Sequence, residues 1–202
     1  MVSDEKIVEL IQRGDRERYG EIIERYQGRL FGYTKNLINQ NNMEVEDVVE
    51  ETLISAYQNL NGFDVSKKFS SWIYRIAHNK AIDYFKKKKV KTTVLDDELE
   101  VGLNLSGPVD TGSSPLDKGD SKTRLYEELE IEKENKVIVN KAVNGLELKY
   151  KEVVLLYFFE DKSYEEISDI LHIPSSNVGV LLYRAKSILR KILENRNKKI
   201  EK

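Results

Sequence analysis

The sequence predicts an all-α protein of two small helical domains joined by a flexible linker. Apolar residues recur at spacings of three and four in both the first and the last part of the chain, which is the pattern of amphipathic helices. Residues 92–122 lose this periodicity and contain two of the three prolines and a cluster of glycines. Structureless segments of this length are uncommon inside one compact domain. We therefore predict a first domain at residues 1–91, a linker at residues 92–122 and a second domain at residues 123–202.

The composition excludes several classes of protein. The chain has no cysteine, and its two histidines, His78 and His172, lie far apart in the sequence. A disulfide framework and a thiolate metal site are therefore excluded, and we expect neither a metal nor another cofactor. No apolar run approaches the thickness of a bilayer, and the first residues lack the character of a signal peptide. We expect a cytoplasmic protein that makes no direct contact with a membrane.

Charge is distributed unevenly along the chain, although the formal net charge is only −2. A net charge near zero argues against a protein that coats nucleic acid by bulk electrostatics. Basic residues nevertheless collect at residues 86–91 and 184–202, and acidic residues collect at residues 44–51. This asymmetry predicts separate acidic and basic docking surfaces.

Four helices are predicted in the first domain. Ser3 or Asp4 is a suitable cap for a short first helix, and a long amphipathic helix starts at Tyr19. A third helix has an acidic exposed face. After a polar loop, Ser70 or Ser71 is expected to cap a fourth helix, which contains the only tryptophan.

The tryptophan helix, at residues 69–89, combines aromatic rings with cations. Such a combination suits nucleic acid with exposed bases, although the same spacing also fits an ordinary core helix. One face of the helical wheel carries Ile73, Ile76, Ala77 and Tyr84, and the other carries Arg75, His78, Asn79, Ile82 and Lys86. We predict that the first face is buried and that the second presents hydrogen-bond donors, a ring and positive charge to a partner.

The second domain contains a predicted core segment and a predicted helix-turn-helix. Residues 153–159 are too apolar to be exposed on any face, so we predict them as core. Ser163 and Glu166 form a capping-box pattern, and a break at His172 separates two helices. In a helix-turn-helix the second helix enters the major groove with its first residues at base edges. We expect Ser175, Ser176 and Asn177 at base edges and Tyr183, Arg184 and Lys186 at phosphates. A plain helical hairpin is the alternative from this pattern alone.

Two groups of segments resemble a known family. Residues 46–52 (Glu-Asp-Val-Val-Glu-Glu-Thr) and residues 69–83 closely resemble the second conserved region of bacterial sigma factors of the extracytoplasmic-function (ECF) group. Residues 150–156, 163–174 and 178–190 resemble the fourth region of the same group. The matches follow the order of the family and cover most of the chain. The resemblance implies a dissociable initiation subunit of RNA polymerase, with a region 2 helical bundle, a region 4 helix-turn-helix and no enzymatic activity.

The resemblance also implies a role for each candidate surface. In the family, an acidic helix docks on the clamp of the largest core-polymerase subunits, and Asp47, Glu50, Glu51 and Tyr57 would form that surface here. The loop before the tryptophan helix captures an unstacked base of the −10 element, and the helix itself meets the edge of the melted DNA. The residues implied for these two contacts are Phe63, Lys67, Lys68, Phe69, Ser70, Arg75, His78, Asn79 and Lys86. The helix-turn-helix would read the −35 element through Ser175, Ser176, Asn177, Tyr183, Arg184 and Lys186. The implied partners are core RNA polymerase, promoter DNA and an anti-sigma factor, with no small-molecule substrate.

The chain departs from the family pattern at a few positions. Glu50 replaces the usual glutamine of the clamp-binding helix, and His172 occupies a turn position where glycine is expected. Gly179 and Leu181 replace basic residues of the recognition helix. These differences predict a −35 contact that is weaker or depends more on the remaining polar residues of that helix.

Three other interpretations fit parts of the sequence. A conventional helix-turn-helix regulator would bind an operator alone, but the tryptophan helix and the acidic helix would then have no purpose. A hydrolase would pair His78 with Asp83 or Asp47, but His78 and Asp83 are five positions apart on a helix and do not share a face. A sigma-like adaptor would bind polymerase without melting DNA.

Overall fold

A computed structural model of the protein describes residues 2–95 and 137–200, and the regular structure of these residues is entirely helical. The first half contains α1 (Asp4–Gln12), α2 (Tyr19–Ile38), α3 (Asn42–Asn59) and α4 (Phe69–Leu95), with 3-10 turns at Arg16–Arg18 and Leu60–Gly62. The second half contains α5 (residues 137–144), α6 (Leu148–Val154), a π-helical segment (Leu155–Phe159), α7 (Tyr164–Leu171) and α8 (Ser175–Ile200). The all-α prediction is confirmed.

Helix α2 lies at the centre of the first half, where it packs against α1, α3 and α4. Its buried stripe follows a spacing of three and four and consists of Tyr19, Ile22, Tyr26, Leu30, Tyr33 and Leu37. Asn39 ends the helix with a positive φ of 51°, and Asn41 caps α3 by accepting a hydrogen bond from the amide of Glu44. Burial of the α2 stripe supplies much of the apolar stabilisation of this half.

The start of α4 differs from the sequence prediction. The helix begins at Phe69, whose amide donates a hydrogen bond of 3.1 Å to Oε1 of Glu5 in α1. A carboxylate at this position also complements the positive end of the helix dipole. Ser71, one of the two predicted caps, is instead buried, and its hydroxyl has no hydrogen-bond partner among the described residues. The first turn of α4 is therefore held by a residue 64 positions earlier in the chain.

The end of α4 lies beyond residue 91, and the bounds of the two domains and the linker stay a prediction. The helix continues to Leu95, whereas the predicted first domain ends at residue 91. The prediction places the boundary where apolar periodicity stops, but a polar helix end can continue beyond that point. The rest of the predicted linker, residues 96–122, lies outside the described residues.

The π-helical segment changes which side chains of the second half are buried. Residues 153–156 are buried as predicted, but Phe158 and Phe159 are 48% and 41% exposed. A π-helical turn contains more residues than an α-helical turn, so the side chains after it are rotated to another face. The prediction that all of residues 153–159 are core is therefore wrong at the two phenylalanines.

The two halves pack against each other along a polar seam, which we define as α2 and α4 on one side and α6, the π-helical segment and α7 on the other. Nζ of Lys151 donates a hydrogen bond of 3.1 Å to the carbonyl oxygen of Leu37. The hydroxyl of Tyr74 donates to Glu160, and Nζ of Lys162 lies 4.5 Å from the centre of the Tyr74 ring. Charged and polar groups therefore contribute to the contact between the halves, beside an apolar core that continues through both.

Candidate nucleic-acid interface

The turn of the helix-turn-helix is built by local hydrogen bonds. Ser163 accepts from the amide of Glu166 while Glu166 accepts from the amide of Ser163, which confirms the predicted capping box. His172 ends α7 in the left-handed conformation, with a φ of 53°. The hydroxyl of Ser168 donates a hydrogen bond of 2.6 Å to the carbonyl oxygen of Ile173. The capping box starts α7, and the contacts of His172 and Ser168 close the turn that leads into α8.

Helix α8 presents its predicted contact residues to solvent. Its inner face is formed by Val178, Leu182 and Ala185, which are buried. All six residues predicted for the −35 element are exposed, namely Ser175, Ser176, Asn177, Tyr183, Arg184 and Lys186. Tyr183 is 77% exposed, and Val180, three positions earlier on the same face, is exposed beside it. The sequence prediction does not include Val180, although its spacing of three from Tyr183 indicates the same face of the helix.

The side chain of Lys186, three positions after Tyr183 on α8, extends towards the π-helical segment. Its Nζ is 5.2 Å from the centre of the Phe158 ring and 6.0 Å from the centre of the Tyr157 ring. A cation at this distance is attracted by the negative faces of the rings. Lys186 therefore contacts the π-helical segment, and the other five predicted residues are exposed.

The loop between α3 and α4 is held by a cluster of aromatic rings. The rings of Phe63, Phe69 and Trp72 have centres 5.1 to 5.5 Å apart, and Tyr26 meets Phe69 edge-on at 5.6 Å. Phe63 and Phe69 are buried, and Trp72 is partly buried. The resemblance implies base contacts for Phe63 and Phe69, but in this arrangement their burial leaves no ring face open to a base. Both rings instead fix the shape of the loop.

The polar residues predicted to contact DNA from the loop and from α4 differ in exposure. Lys67, Lys68, Asn79 and Lys86 are exposed, whereas Ser70 and Arg75 are partly buried. The loop itself is closed by Asp64, which accepts hydrogen bonds from the amide and the hydroxyl of Ser66 at 3.0 and 2.7 Å. These hydrogen bonds lower the pKa of Asp64, so its carboxylate is charged at neutral pH.

His78 lies in the polar seam and not on an open face of α4. Its Nδ1 is 3.1 Å from the hydroxyl of Tyr33, and its Nε2 is 3.8 Å from the carboxylate of Glu152. Burial lowers the pKa of His78 to about 4 and raises the pKa of Glu152 to about 7. His78 is therefore neutral at pH 7, so its approach to Glu152 is not a full ion pair. The sequence prediction missed this position because helical periodicity does not reveal which face the second half covers.

An exposed stripe of acidic and apolar side chains runs along α3. We call it the acidic stripe; its members are Met43, Asp47, Glu50, Ile54 and Tyr57, with Glu51 exposed beside it. Met43 is 73% exposed and Ile54 is 57% exposed, and the Tyr57 ring packs on Tyr19 with ring centres 4.8 Å apart. The sequence reasoning identified the acids and the tyrosine of this stripe. It missed the two apolar members, which lie four positions from the acids along the helix.

The hydrolase alternative pairs His78 with Asp83 or Asp47, and the structure does not bring these side chains together. His78 is in the seam, whereas both aspartates are exposed. Among residues 2–95 and 137–200, no group of histidine and carboxylate side chains is arranged to hold a metal ion. No helix in this described part of the chain is long and apolar enough to span a bilayer.

Comparison with known proteins defines first a class and then a family. Residues 22–90 match Sigma-70 region 2, and residues 136–189 match Sigma-70, region 4. This pair of regions defines the sigma factors, which are transcription initiation factors and not enzymes. The ECF RNA polymerase sigma factor SigW of Bacillus subtilis (strain 168) is 30% identical over 192 residues, which are 94% of this chain and 96% of that protein. The ECF RNA polymerase sigma-E factor of Haemophilus influenzae is 29% identical over 194 residues, with 93% and 94% covered. The chain belongs to the ECF family of RNA polymerase sigma factors.

Two solved structures share the fold. CnrH, in complex with the cytosolic domain of CnrY, superposes with a TM-score of 0.64 at 17% identity, covering 95% of this chain and 97% of that chain. The sigma factor RpoE from Bartonella quintana, in complex with the anti-sigma factor NepR, superposes with a TM-score of 0.63 at 19% identity, covering 87% and 96%. The predicted architecture of two helical domains is therefore confirmed.

Proposed function

We propose that this chain binds core RNA polymerase, directs it to specific promoters and helps to melt the DNA for initiation. The observation that carries the proposal is the presence in one chain of the acidic stripe on α3 and the exposed face of α8. Each surface belongs to a different half and has a different chemistry. A stand-alone regulator would need the second surface only.

The acidic stripe is the proposed contact with the polymerase clamp. Met43, Ile54 and Tyr57 supply apolar area, and Asp47 and Glu50 supply charge beside it. Protein interfaces commonly combine an apolar centre with a polar rim. The carboxylates would steer the approach to a basic partner, while the apolar side chains would supply most of the free energy of binding.

The loop before α4 and the exposed part of α4 are the proposed contacts with the melted −10 region. Opening duplex DNA costs on the order of 1–2 kcal/mol per stacked step. A surface that holds the separated strand recovers part of that cost through backbone cations and base contacts. Lys67, Lys68 and Lys86 supply the cations, and Asn79 supplies a hydrogen-bonding group. No covalent bond changes in this step, so the proposal requires no catalytic group.

The first turns of α8 are the proposed contact with the −35 element. Ser175, Ser176 and Asn177 lie at the exposed N-terminal end of the helix, where a helix-turn-helix meets base edges. Tyr183 and Arg184 lie one to two turns later and suit the phosphates that set the register. Val180, between the two groups, suits contact with a thymine methyl group.

We include an anti-sigma factor among the proposed partners. Two structural relatives were solved as complexes: CnrH with the cytosolic domain of CnrY, and RpoE with the anti-sigma factor NepR. We place the action of the chain in the cytoplasm, where a bacterial polymerase works. A membrane connection, if the cell uses one, would then belong to the anti-sigma partner.

The decisive experiment is transcription reconstituted from purified core RNA polymerase, this chain and a library of genomic fragments. We expect RNA 5′ ends at a limited set of sites that share two upstream sequence elements, and none with core alone. Glu50→Lys in the acidic stripe should abolish this activity, whereas Glu17→Lys, which makes the same charge change at an exposed residue outside the stripe, should retain it. Tight binding to duplex fragments without core, and no specific transcripts with it, would favour the stand-alone regulator.

A second comparison separates melting from recruitment. Asn79→Ala should reduce transcription from fully duplex promoters and have little effect on templates with an unpaired −10 region, because the cost of opening has then been removed. An intact chain that is active only on unpaired templates would instead support the adaptor interpretation.

A further inference from the structure

We propose that Met43, on the acidic stripe, is an oxidation site and that its conversion to the sulfoxide weakens binding to core RNA polymerase. The reagent class is a two-electron oxidant such as hypochlorous acid. The inference rests on the proposed function, because the acidic stripe is the proposed contact with the polymerase clamp. It adds a covalent and reversible control to that contact.

The sulfur chemistry of the chain is concentrated at this position. The chain has no cysteine, and its two methionines are Met1 and Met43. Cysteine and methionine carry the side chains that oxidants convert stepwise at sulfur, and exposure makes them more susceptible. Met43 holds the only sulfur of the sequence beyond its first residue, and it is 73% exposed. An oxidant that reacts at sulfur therefore has one target within the folded helices described.

Met43 belongs to a docking surface and not to the packing of the fold. Among the described residues it lies outside the apolar core and outside the side chains packed against that core. Asn41 caps α3, and Nζ of Lys88 donates a hydrogen bond of 2.8 Å to Oε1 of Glu44. The first turn of the helix is thus held by contacts of other residues. Oxidation of Met43 should leave the helix and the bundle intact.

The spacing of the acidic stripe determines which groups surround the sulfoxide. Its members alternate spacings of four and three along α3 and share one face: Met43, Asp47, Glu50, Ile54 and Tyr57. The polar members nearest to Met43 along the helix are Asp47 and Glu50, whose carboxylates accept hydrogen bonds and cannot donate them. The sulfoxide oxygen is also an acceptor. It would enter the interface without a donor from its own stripe, and a buried acceptor without a partner opposes binding.

The proposed step is a two-electron oxidation at sulfur that breaks no bond of the protein chain. The thioether sulfur attacks the chlorine of hypochlorous acid, and the O–Cl bond breaks with release of hydroxide. Water then adds to the sulfur and displaces chloride. The water loses two protons, one of which neutralises the hydroxide, so the products are the sulfoxide, chloride and one proton. Methionine sulfoxide reductases return the sulfoxide to the thioether.

The test compares the affinity for core polymerase before and after treatment with a limited amount of hypochlorous acid. The parent chain is compared with Met43→Leu, which removes the sulfur with little change in volume. The positional control combines Met43→Leu with Glu17→Met, which moves the sulfur to an exposed residue outside the acidic stripe. Each protein serves as its own reference, so an effect of the substitution on the starting affinity cancels. Mass spectrometry of peptides identifies the residues that gained oxygen.

We expect the treated parent chain to carry the sulfoxide at Met43, to bind core about tenfold more weakly and to recover after treatment with the reductases. The two variants should keep their own starting affinities, and circular dichroism should show an unchanged unfolding midpoint for the oxidised parent. The inference would be overturned by an equal loss of affinity in parent and Met43→Leu, or in parent and positional control. Full oxidation of Met43 with unchanged affinity, or a lower unfolding midpoint that accompanies the loss, would also overturn it.

Failure of this inference can be told apart from failure of the proposed function. The untreated parent chain tests the function. If it neither binds core polymerase nor directs transcription, the proposed function is wrong and the inference falls with it. If the untreated chain does both, and the chain oxidised at Met43 does both equally well, the inference alone is wrong.

Discussion

Tyr74, which is fully buried in α4, donates its hydroxyl hydrogen to Glu160 at the end of the π-helical segment, 86 residues later in the chain. The carboxylate of Glu160 also lies 3.8 Å from Arg29 of α2. Tyr74 is 0% and Glu160 is 8% exposed, so little water reaches this contact, and this burial raises the pKa of both groups. One side chain of the first half is thus hydrogen-bonded to the second half inside the seam.

Replacing Tyr74 with phenylalanine should weaken the attachment of the two halves. Glu160 would lose its closest donor while remaining buried, at a cost of about 1–2 kcal/mol in the free energy of unfolding. Urea unfolding followed by the fluorescence of Trp72, the only tryptophan, reports on the first half directly. Tyr183→Phe is the matched control because its hydroxyl lies on a largely exposed side chain. Identical unfolding midpoints for the two variants would contradict a structural role for the Tyr74 hydroxyl.

Replacing Glu152 with glutamine should stabilise the protein, and more so as the pH rises. Burial raises the pKa of Glu152 from its ordinary 4.5 to about 7. The contribution of Glu152 to the free energy of unfolding is therefore most favourable at low pH and is lost as the pH rises through 7. Glutamine stays neutral throughout. The stability of the Glu152→Gln variant relative to the parent chain should therefore grow by about 1–2 kcal/mol between pH 5 and pH 8.

The measurement for Glu152 is the difference in unfolding free energy between variant and parent at several pH values. His78 and Lys151 also have shifted pKa values, but they are present in both proteins, so their main effects cancel in the difference. Glu147→Gln is the control because Glu147 is exposed. An advantage of the Glu152→Gln variant that is the same at both ends of the pH range would show that the carboxyl of Glu152 titrates normally.

The helices and the helix-turn-helix were predictable because their signals are local. The capping box of Ser163 and Glu166 needs only a spacing of three, and the position of His172 just after an apolar stripe predicts the end of α7. The stripe of α2 is likewise visible as a period. Each of these features is determined by residues close together in the chain.

The remaining features depend on contacts between distant segments. Glu5 caps α4 from another helix, so the local serines were a misleading signal. His78 shares a helical face with exposed residues, but α6 covers it. The exposure of Phe158 follows from a π-helical turn, for which the apolar sequence offers no distinct pattern. Tertiary packing decided the first two.

Replacing Gln12 with alanine should disturb the loop proposed to hold the −10 strand. Nε2 of Gln12 donates hydrogen bonds of 2.8 Å to the carbonyl oxygens of Leu60 and Phe63, at the start of that loop. Without these donors the loop should sample more conformations, so the rate of open-complex formation should fall severalfold while affinity for core polymerase is unchanged.

Two measurements distinguish positioning by Gln12 from general destabilisation. Competition for core polymerase should give equal affinity for Gln12→Ala and for the parent chain, and a template with an unpaired −10 region should restore part of the lost rate. Gln58→Ala, at an exposed position of α3, is the control. A loss of core affinity parallel to the loss of melting would indicate that Gln12 supports the whole bundle rather than the loop.

Two glycines should respond in opposite ways to replacement by alanine. A Cβ atom at Gly179 would lie 3.4 Å from Cε2 of Tyr164, which is close to an ordinary contact, and α8 is a regular helix there. Gly179→Ala should therefore stabilise the second half by about 0.5–1 kcal/mol, because alanine loses less backbone entropy in a helix. Gly14 has a φ of 115°, so Gly14→Ala should cost about 1 kcal/mol or more. Unfolding followed by circular dichroism measures both changes, and a destabilised Gly179→Ala would show that the Tyr164 ring cannot move aside.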